Sequence, residues 1–124
     1  MQFFLLKKNH EVFLKNKIEV ICEIANDSLT LSQGLKYRSH LGWNKGMLFI
    51  FPKPLRHSMH MINTIIPLEI IFIDEEKKIV DIKEGIPRCP DLIVPDFACK
   101  FALEVNDKFC MTNNIQIGDK VRFF

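Results

Sequence analysis

Leu68-Glu69-Ile70-Ile71-Phe72-Ile73, then Asp74-Glu75-Glu76-Lys77-Lys78, then Ile79-Val80-Asp81-Ile82 is the stretch whose reading decides the fold. Two isoleucine-rich runs, each too short for an ordinary helix, flank a charged turn, so they are expected to pair as an antiparallel hairpin. Downstream, Gly85 to Asp96 contains Pro87, Pro90 and Pro95 and reads as a loop of about a dozen residues, long enough for a lid or rim role. Lys100 to Val105 is a strand, Asn106-Asp107 offers to cap a short helical turn through Phe109 and Met111, and Gly118-Asp119 turns into a last strand, Lys120 to Phe123.

Upstream of the hairpin, Met59 to Ile62 reads as a strand and Asn63-Thr64 as a polar break. Met47-Leu48-Phe49-Ile50-Phe51 is apolar on both faces, as in a strand covered on both sides, and Pro52-Lys53-Pro54 is expected to end it. His40 to Lys45 is a loop. Leu31, Leu35 and Arg38 follow at helical spacing behind the capping residues Asn26-Asp27-Ser28, and Thr30-Leu31-Ser32-Gln33 fits a capping box. A helix over about residues 28–39 follows, with Gly34 inside it at a close packing contact. Ile18 to Ala25 alternates with one buried face that includes Cys22, and Glu11 to Leu14 and Gln2 to Leu6 precede it as strands joined through Lys7-Lys8-Asn9-His10. The sum is a mainly β single domain over residues 1–124. A β-sandwich or barrel of about eight or nine strands is expected, with one short helix and a helical turn.

Composition agrees with a single core. The chain has 124 residues, 48% hydrophobic and 26% charged, and matches the profile of a water-soluble globular domain that buries roughly two thirds of its unfolded surface. Seventeen Lys and Arg against fifteen Asp and Glu leave a net charge of +2, too small a field to capture nucleic acid or an anionic membrane. The paired cations Lys7-Lys8, Lys77-Lys78 and Lys120 with Arg122 are dispersed at turns or near an end, as solvated surface. The greasiest stretch, Ile65 to Ile73, is interrupted by Pro67 and Glu69 and is far below the ~20 apolar residues of a membrane span. At the amino terminus the basic residues follow a short apolar run, the reverse of a signal peptide, so a cytoplasmic location is expected unless an upstream signal was removed. Cys22, Cys89, Cys99 and Cys110 show no CxxC spacing. They read as reduced thiols, with a Cys89–Cys99 bridge as the alternative.

Three stretches together resemble one family: Gln33-Gly34-Leu35-Lys36-Tyr37-Arg38, then Gly46-Met47-Leu48-Phe49-Ile50-Phe51, then Met59 to Asp74 with its Asn63-Thr64 and Ile66-Pro67-Leu68-Glu69. In this order they are similar to the prokaryotic "domain of unknown function" family number 192, and Leu103-Glu104-Val105 with Gly118-Asp119-Lys120-Val121 fits its ending. The resemblance runs from about Val20 onward. It implies a small, mainly β fold with one helix, often exported in other members, and no established activity. His60 stands where the family pattern has Trp, Glu69 where it has Asp, and Leu35-Lys36 where it has Leu-Met. A pocket floored by that Trp would therefore be altered here.

The best candidate site is a polar cluster of Arg38, His60, Asn63, Thr64 and Glu69. Glu69, sharing a strand face with Ile71 and Ile73, is costly to bury unless paired, and Arg38 is a suitable partner. In a binding role Arg38 would clamp a carboxylate or phosphate while Asn63 and Thr64 orient it, beside the loop Gly85 to Asp96. The bland reading is a structural ion pair. A weaker alternative puts His57, Met59 and Met61 on one strand face, where thioethers with imidazole suit copper(I), although Met in a strand is more often core filler. There is no nucleophile elbow, paired-His metal motif or phosphate loop, so catalysis has no motif behind it and no cofactor is expected. The expected function is a non-catalytic module binding a small polar or anionic ligand. The rival is a structural or protein-interaction domain with no pocket.

Overall fold

The computed structural model describes residues 10–15 and 17–124. Within them lie β1 (His10–Leu14), β2 (Ile18–Ala25), α1 (Ser28–Gln33), β3 (Lys45–Leu55), β4 (Leu68–Ile73), β5 (Ile79–Gly85), β6 (Cys99–Asn106), α2 (Phe109–Asn113) and β7 (Val121–Arg122). The expected strand Gln2 to Leu6 lies outside the described residues. No helix among those described is long and apolar enough to cross a membrane.

β4 and β5 form the hairpin expected from the isoleucine runs, with Leu68 opposite Gly85 and Ile71 opposite Ile82. Its turn is held by Asp74, whose Oδ1 accepts from the backbone N–H groups of Glu76 and Lys78, each at 2.9 Å. An aspartate doing this pins the turn from a single side chain. The seven strands make one sheet in the order β5-β4-β6-β3-β2-β1-β7. Every pairing is antiparallel except β2 with β3, which run parallel, so α1 and the following loop form the crossover between them.

The sheet curls until the start of β5 and the turn before it come against the segment that leads into β7. Ile79 donates to the carbonyl of Asp119 at 2.9 Å, and Gly118 and Val121 donate to the carbonyls of Ile79 and Lys77, each at 2.8 Å. The result is a half-barrel, a mainly β architecture of the barrel class, with seven strands among the described residues. Its concave side gathers one core from every strand, including Val12, Val20, Leu48, Ile71, Leu103 and Val121, and Phe109 and Cys110 of α2 join it. The convex side of β3, β4 and β6 carries a second core, with Phe49, Ile70, Phe72 and Ala102 beneath Leu35, Leu41, Met59 and Met61. Cover on both faces explains why Met47 to Phe49 is buried throughout.

Several elements differ from their sequence readings for local reasons. α1 ends at Gln33 rather than near residue 39, because Gly34 adopts a positive φ of 51° and its N–H closes on the carbonyl of Thr30. Gly34 is thus the helix stop, not an interior residue, and a Cβ there would lie 3.4 Å from the Phe49 ring. Thr30 serves as the third residue of a capping box whose N-cap is Asp27, instead of opening a box of its own. Pro52 and Pro54 do not end β3, which continues to Leu55 through a register shift after Ile50, where a strand needs fewer backbone donors. Met59 to Ile62 is not a strand. It makes one bridge, Met59 with Ile93, and then turns at Asn63, which has a φ of 64°. The last strand is shorter than expected, Val121–Arg122. All four cysteines are free, so the alternative Cys89–Cys99 bridge is not made.

The loop Gly85 to Asp96 is tied down rather than hinged. Its Ile93 exchanges two backbone hydrogen bonds with Met59, Arg88 donates its N–H to the carbonyl of Thr64, and Pro95 accepts from Arg56 Nε. At its end the buried Asp81 accepts from the N–H groups of Ile82 and Asp96.

Candidate functional site

The polar residues expected to cluster are distributed over three places. Arg38 pairs with Glu23 on β2, not with Glu69. The contact is bidentate, Nη2 lying 2.9 Å from Oε1 and Nη1 meeting Oε2. The guanidinium holds the Glu23 carboxyl below its ordinary range and is itself held further protonated. Both side chains are about two fifths exposed, at 37% and 42%, so water screens the pair.

Glu69 belongs to the barrel interior, on the face of Ile71 and Ile73, as its spacing implied. Its partner is the backbone of α2: Oε1 accepts from the Cys110 N–H at 2.8 Å. The residue before α2, Lys108, is left-handed at φ 66° and provides no side-chain cap, so Glu69 satisfies from a distant strand an amide that local sequence leaves open. Asn106 and Asp107 do not cap that helix. Instead the Asn106 amide donates to the carbonyls of Leu41 and Gly42, each at 2.9 Å. The buried Cys110 thiol, with Glu69 beside it, is pushed well above its ordinary value by desolvation first and by that carboxylate second.

Asn63 is an exposed turn residue in the left-handed conformation, and its carbonyl accepts from the Tyr37 N–H at 2.9 Å. Only His60 and Thr64 of the expected set reach a cavity, of about 350 Å³, between α1 and the convex face of the sheet. Leu31, Gly34 and Leu35 line it from the helix side, Phe49 and Phe51 from β3, and Met59 from the segment that crosses above. His60 is held by its own backbone, Nδ1 accepting from the Ile62 N–H at 3.2 Å. Thr64 is 5% exposed.

The residue that sets the cavity's chemistry is Glu104, in the middle of β6. It is 4% exposed and lines the cavity wall. On one side it faces Met47 of β3 and on the other Ile70 of β4, both apolar. No hydrogen bond or ion pair reaches its carboxylate from the described residues. Burial alone therefore pushes the Glu104 carboxyl up from its ordinary 4.5 to about 8, leaving it largely a neutral acid near pH 7. Gly46 is required beside it, because a Cβ there would lie 2.6 Å from the Glu104 carbonyl oxygen. Sequence reasoning passed over Glu104 in favour of Glu69. The signal was nevertheless present: one carboxylate between Leu103 and Val105, in a run otherwise apolar from Phe101 to Val105.

The copper alternative loses its geometry, since without a strand over residues 57–61 no alternation aligns the three side chains. His57 stacks on Phe51, with ring centroids 4.0 Å apart, and its Nε2 lies 2.7 Å from the Lys53 carbonyl. Met61 is fully buried in the outer core and Met59 lines the cavity.

Comparison with known proteins supports the fold and adds no activity. No curated protein matches the chain. A 1.55 Å crystal structure of a Sinorhizobium meliloti 1021 protein, provisionally classed as a transcription regulator, is similar with TM-score 0.90 and 26% identity, over 94% of this chain and 95% of that one. A protein of unknown function from Novosphingobium aromaticivorans DSM 12444 is similar with TM-score 0.84 and 28% identity, over 90% and 83%. The family model of domain-of-unknown-function family 192 (DUF192, "Uncharacterized ACR") matches residues 11–123, and the chain belongs to that family.

Proposed function

We propose that this chain is a non-catalytic binding module that takes a small molecule in the cavity between α1 and the convex face of the sheet. One observation carries this reading. Glu104 is a nearly buried carboxyl with no partner among the described residues, and it lines a cavity whose size falls at the lower end of small-molecule sites. A protein gains nothing in stability from such a group, because burying it costs free energy that a hydrogen bond would otherwise offset. The mixture of Phe49, Phe51 and Met59 with Thr64 and Glu104 suits a ligand with an apolar body and one polar end. Arg38, already paired with Glu23, is left out of the site, and so are Asn63 and Glu69.

The description of the Sinorhizobium relative does not lead us to nucleic acid. Three cations of this chain lie over its own aromatic rings: Lys77 over Phe123, Lys100 over Phe101 and Arg122 over Phe13. A protein-interaction role has a specific observation in its favour, the exposed Leu92 and Phe97 at 66% and 64% in and after the proline-rich loop. A fragment screen followed by amide NMR shifts separates the two. Binding in the cavity moves the Phe49, Met59, Thr64 and Glu104 amides together; shifts confined to Leu92 and Phe97, or to Arg38, would overturn the cavity reading.

A further inference from the structure

We propose that the ligand of the Glu104 cavity is an organic ammonium ion, a protonated primary or secondary amine on a small apolar body. This rests on the binding reading above and specifies the chemistry of the same site. Glu104 offers carboxylate oxygens with no donor directed at them from the described residues, and an ammonium group supplies N–H donors and a compensating charge together. Phe49 and Phe51 line the same cavity, with ring centroids 6.5 Å apart and planes inclined by 23°. Aromatic rings lining the same cavity as a carboxylate suit a cation better than an anion. Phe51 is itself fixed by His57 stacked on it, so one ring of the pair is held in place before a ligand arrives.

The other titratable groups facing the cavity are few. Lys36 lines it from the turn after α1 and His60 from the crossing segment, while the residues contributed by α1, Ser28, Ser32 and Gln33, are neutral. β3 contributes the two rings, and β4 places Ile70 beside Glu104. Lys36 is half-exposed and makes no ion pair with Glu104. Glu23 and Arg38 neutralise each other in the adjoining depression beyond Gly34. A bound amine is therefore the group that balances an ionised Glu104.

Binding of a cation to a carboxyl that is protonated beforehand must release a proton. Burial places the Glu104 titration at about 8, so amine affinity is expected to rise about tenfold per pH unit below that value. Isothermal titration calorimetry of the full chain with benzylamine, benzyl alcohol and benzoate tests this, because the three share a body and differ in charge. Benzylamine is expected to bind on the order of 50-fold more tightly at about pH 8.5 than at about pH 6, releasing about one proton per ligand at the lower pH. Glu104→Gln is expected to lose at least ~10-fold of the benzylamine affinity while holding benzyl alcohol unchanged. If that variant fails to unfold cooperatively, the pH dependence and proton release of the wild type decide alone. Benzoate or benzyl alcohol binding as tightly as benzylamine at the higher pH, in the cavity, would overturn the ammonium assignment and leave the binding module standing. Failure of all three to bind would overturn both.

Discussion

Glu69 and Glu104 sit on adjacent strands, β4 and β6, each inside an apolar run, yet the half-barrel treats them in opposite ways. Glu69 points to the concave side at the end plugged by α2 and accepts the Cys110 N–H at 2.8 Å. Glu104 points to the convex side, between Met47 and Ile70, and has no partner among the described residues. A carboxylate can thus be a structural cap or be left without a partner among the described residues at nearly the same height in one sheet. What separates them is whether an element with an open N–H lies across from the oxygen.

The largest expected effect breaks the comparison by titration. The folded Glu104 carboxyl holds its proton more tightly than the unfolded one, so the folded state carries no ionisation cost below about pH 4.5 and loses stability progressively as the pH rises to about 8. The full loss amounts to as much as about 5 kcal/mol, and Glu104→Gln is expected to remove that slope. Thermal unfolding of both proteins from about pH 4.5 to about pH 9 checks this; parallel curves would show Glu104 to be solvated or partnered.

Next in size is the neighbour on the opposite face. Leu103 is fully buried in the concave core, and Leu103→Ala is expected to cost about 2–5 kcal/mol in denaturant unfolding, through lost contact and the cavity left behind. Unlike Glu104→Gln, it carries no pH dependence of its own.

Glu69→Ala leaves the Cys110 N–H without its acceptor and is expected to cost roughly 1–3 kcal/mol. The readout that sharpens the contrast is hydrogen exchange, which should quicken at α2 and leave the Glu104 cavity unchanged. The smallest effect belongs to Arg38→Ala. It breaks a screened pair and is expected to cost under about 1 kcal/mol, diminishing further in high salt, with ligand affinity at Glu104 unaltered.

Much of the fold was legible because its signals are local. Isoleucine runs around Asp74 to Lys78 specify a hairpin whichever strands lie beside it. Met47 to Phe51 announced a strand covered on both faces, and the motif order around Gly34, Gly46 and Asn63-Thr64 pointed to the family. Where the reading went astray, a distant contact had replaced a local one. Arg38 was given to Glu69, although Glu23 on β2 lies within reach once Gly34 has turned the chain. Residues 59–62, with a strand-like composition, became a crossing segment over the outer core because among the described residues only Ile93 makes a strand-type bridge with it.

By itself, then, the sequence determined a mainly β fold, its hairpin, the capped start of its helix and its family, since periodicity and turn chemistry act over a few residues. Only the tertiary structure decided which of the two carboxylates is satisfied. That depends on β6 lying between β3 and β4 with α1 above it. Desolvation and hydrogen bonding are set by neighbours in space, and along the chain Glu69 and Glu104 look alike.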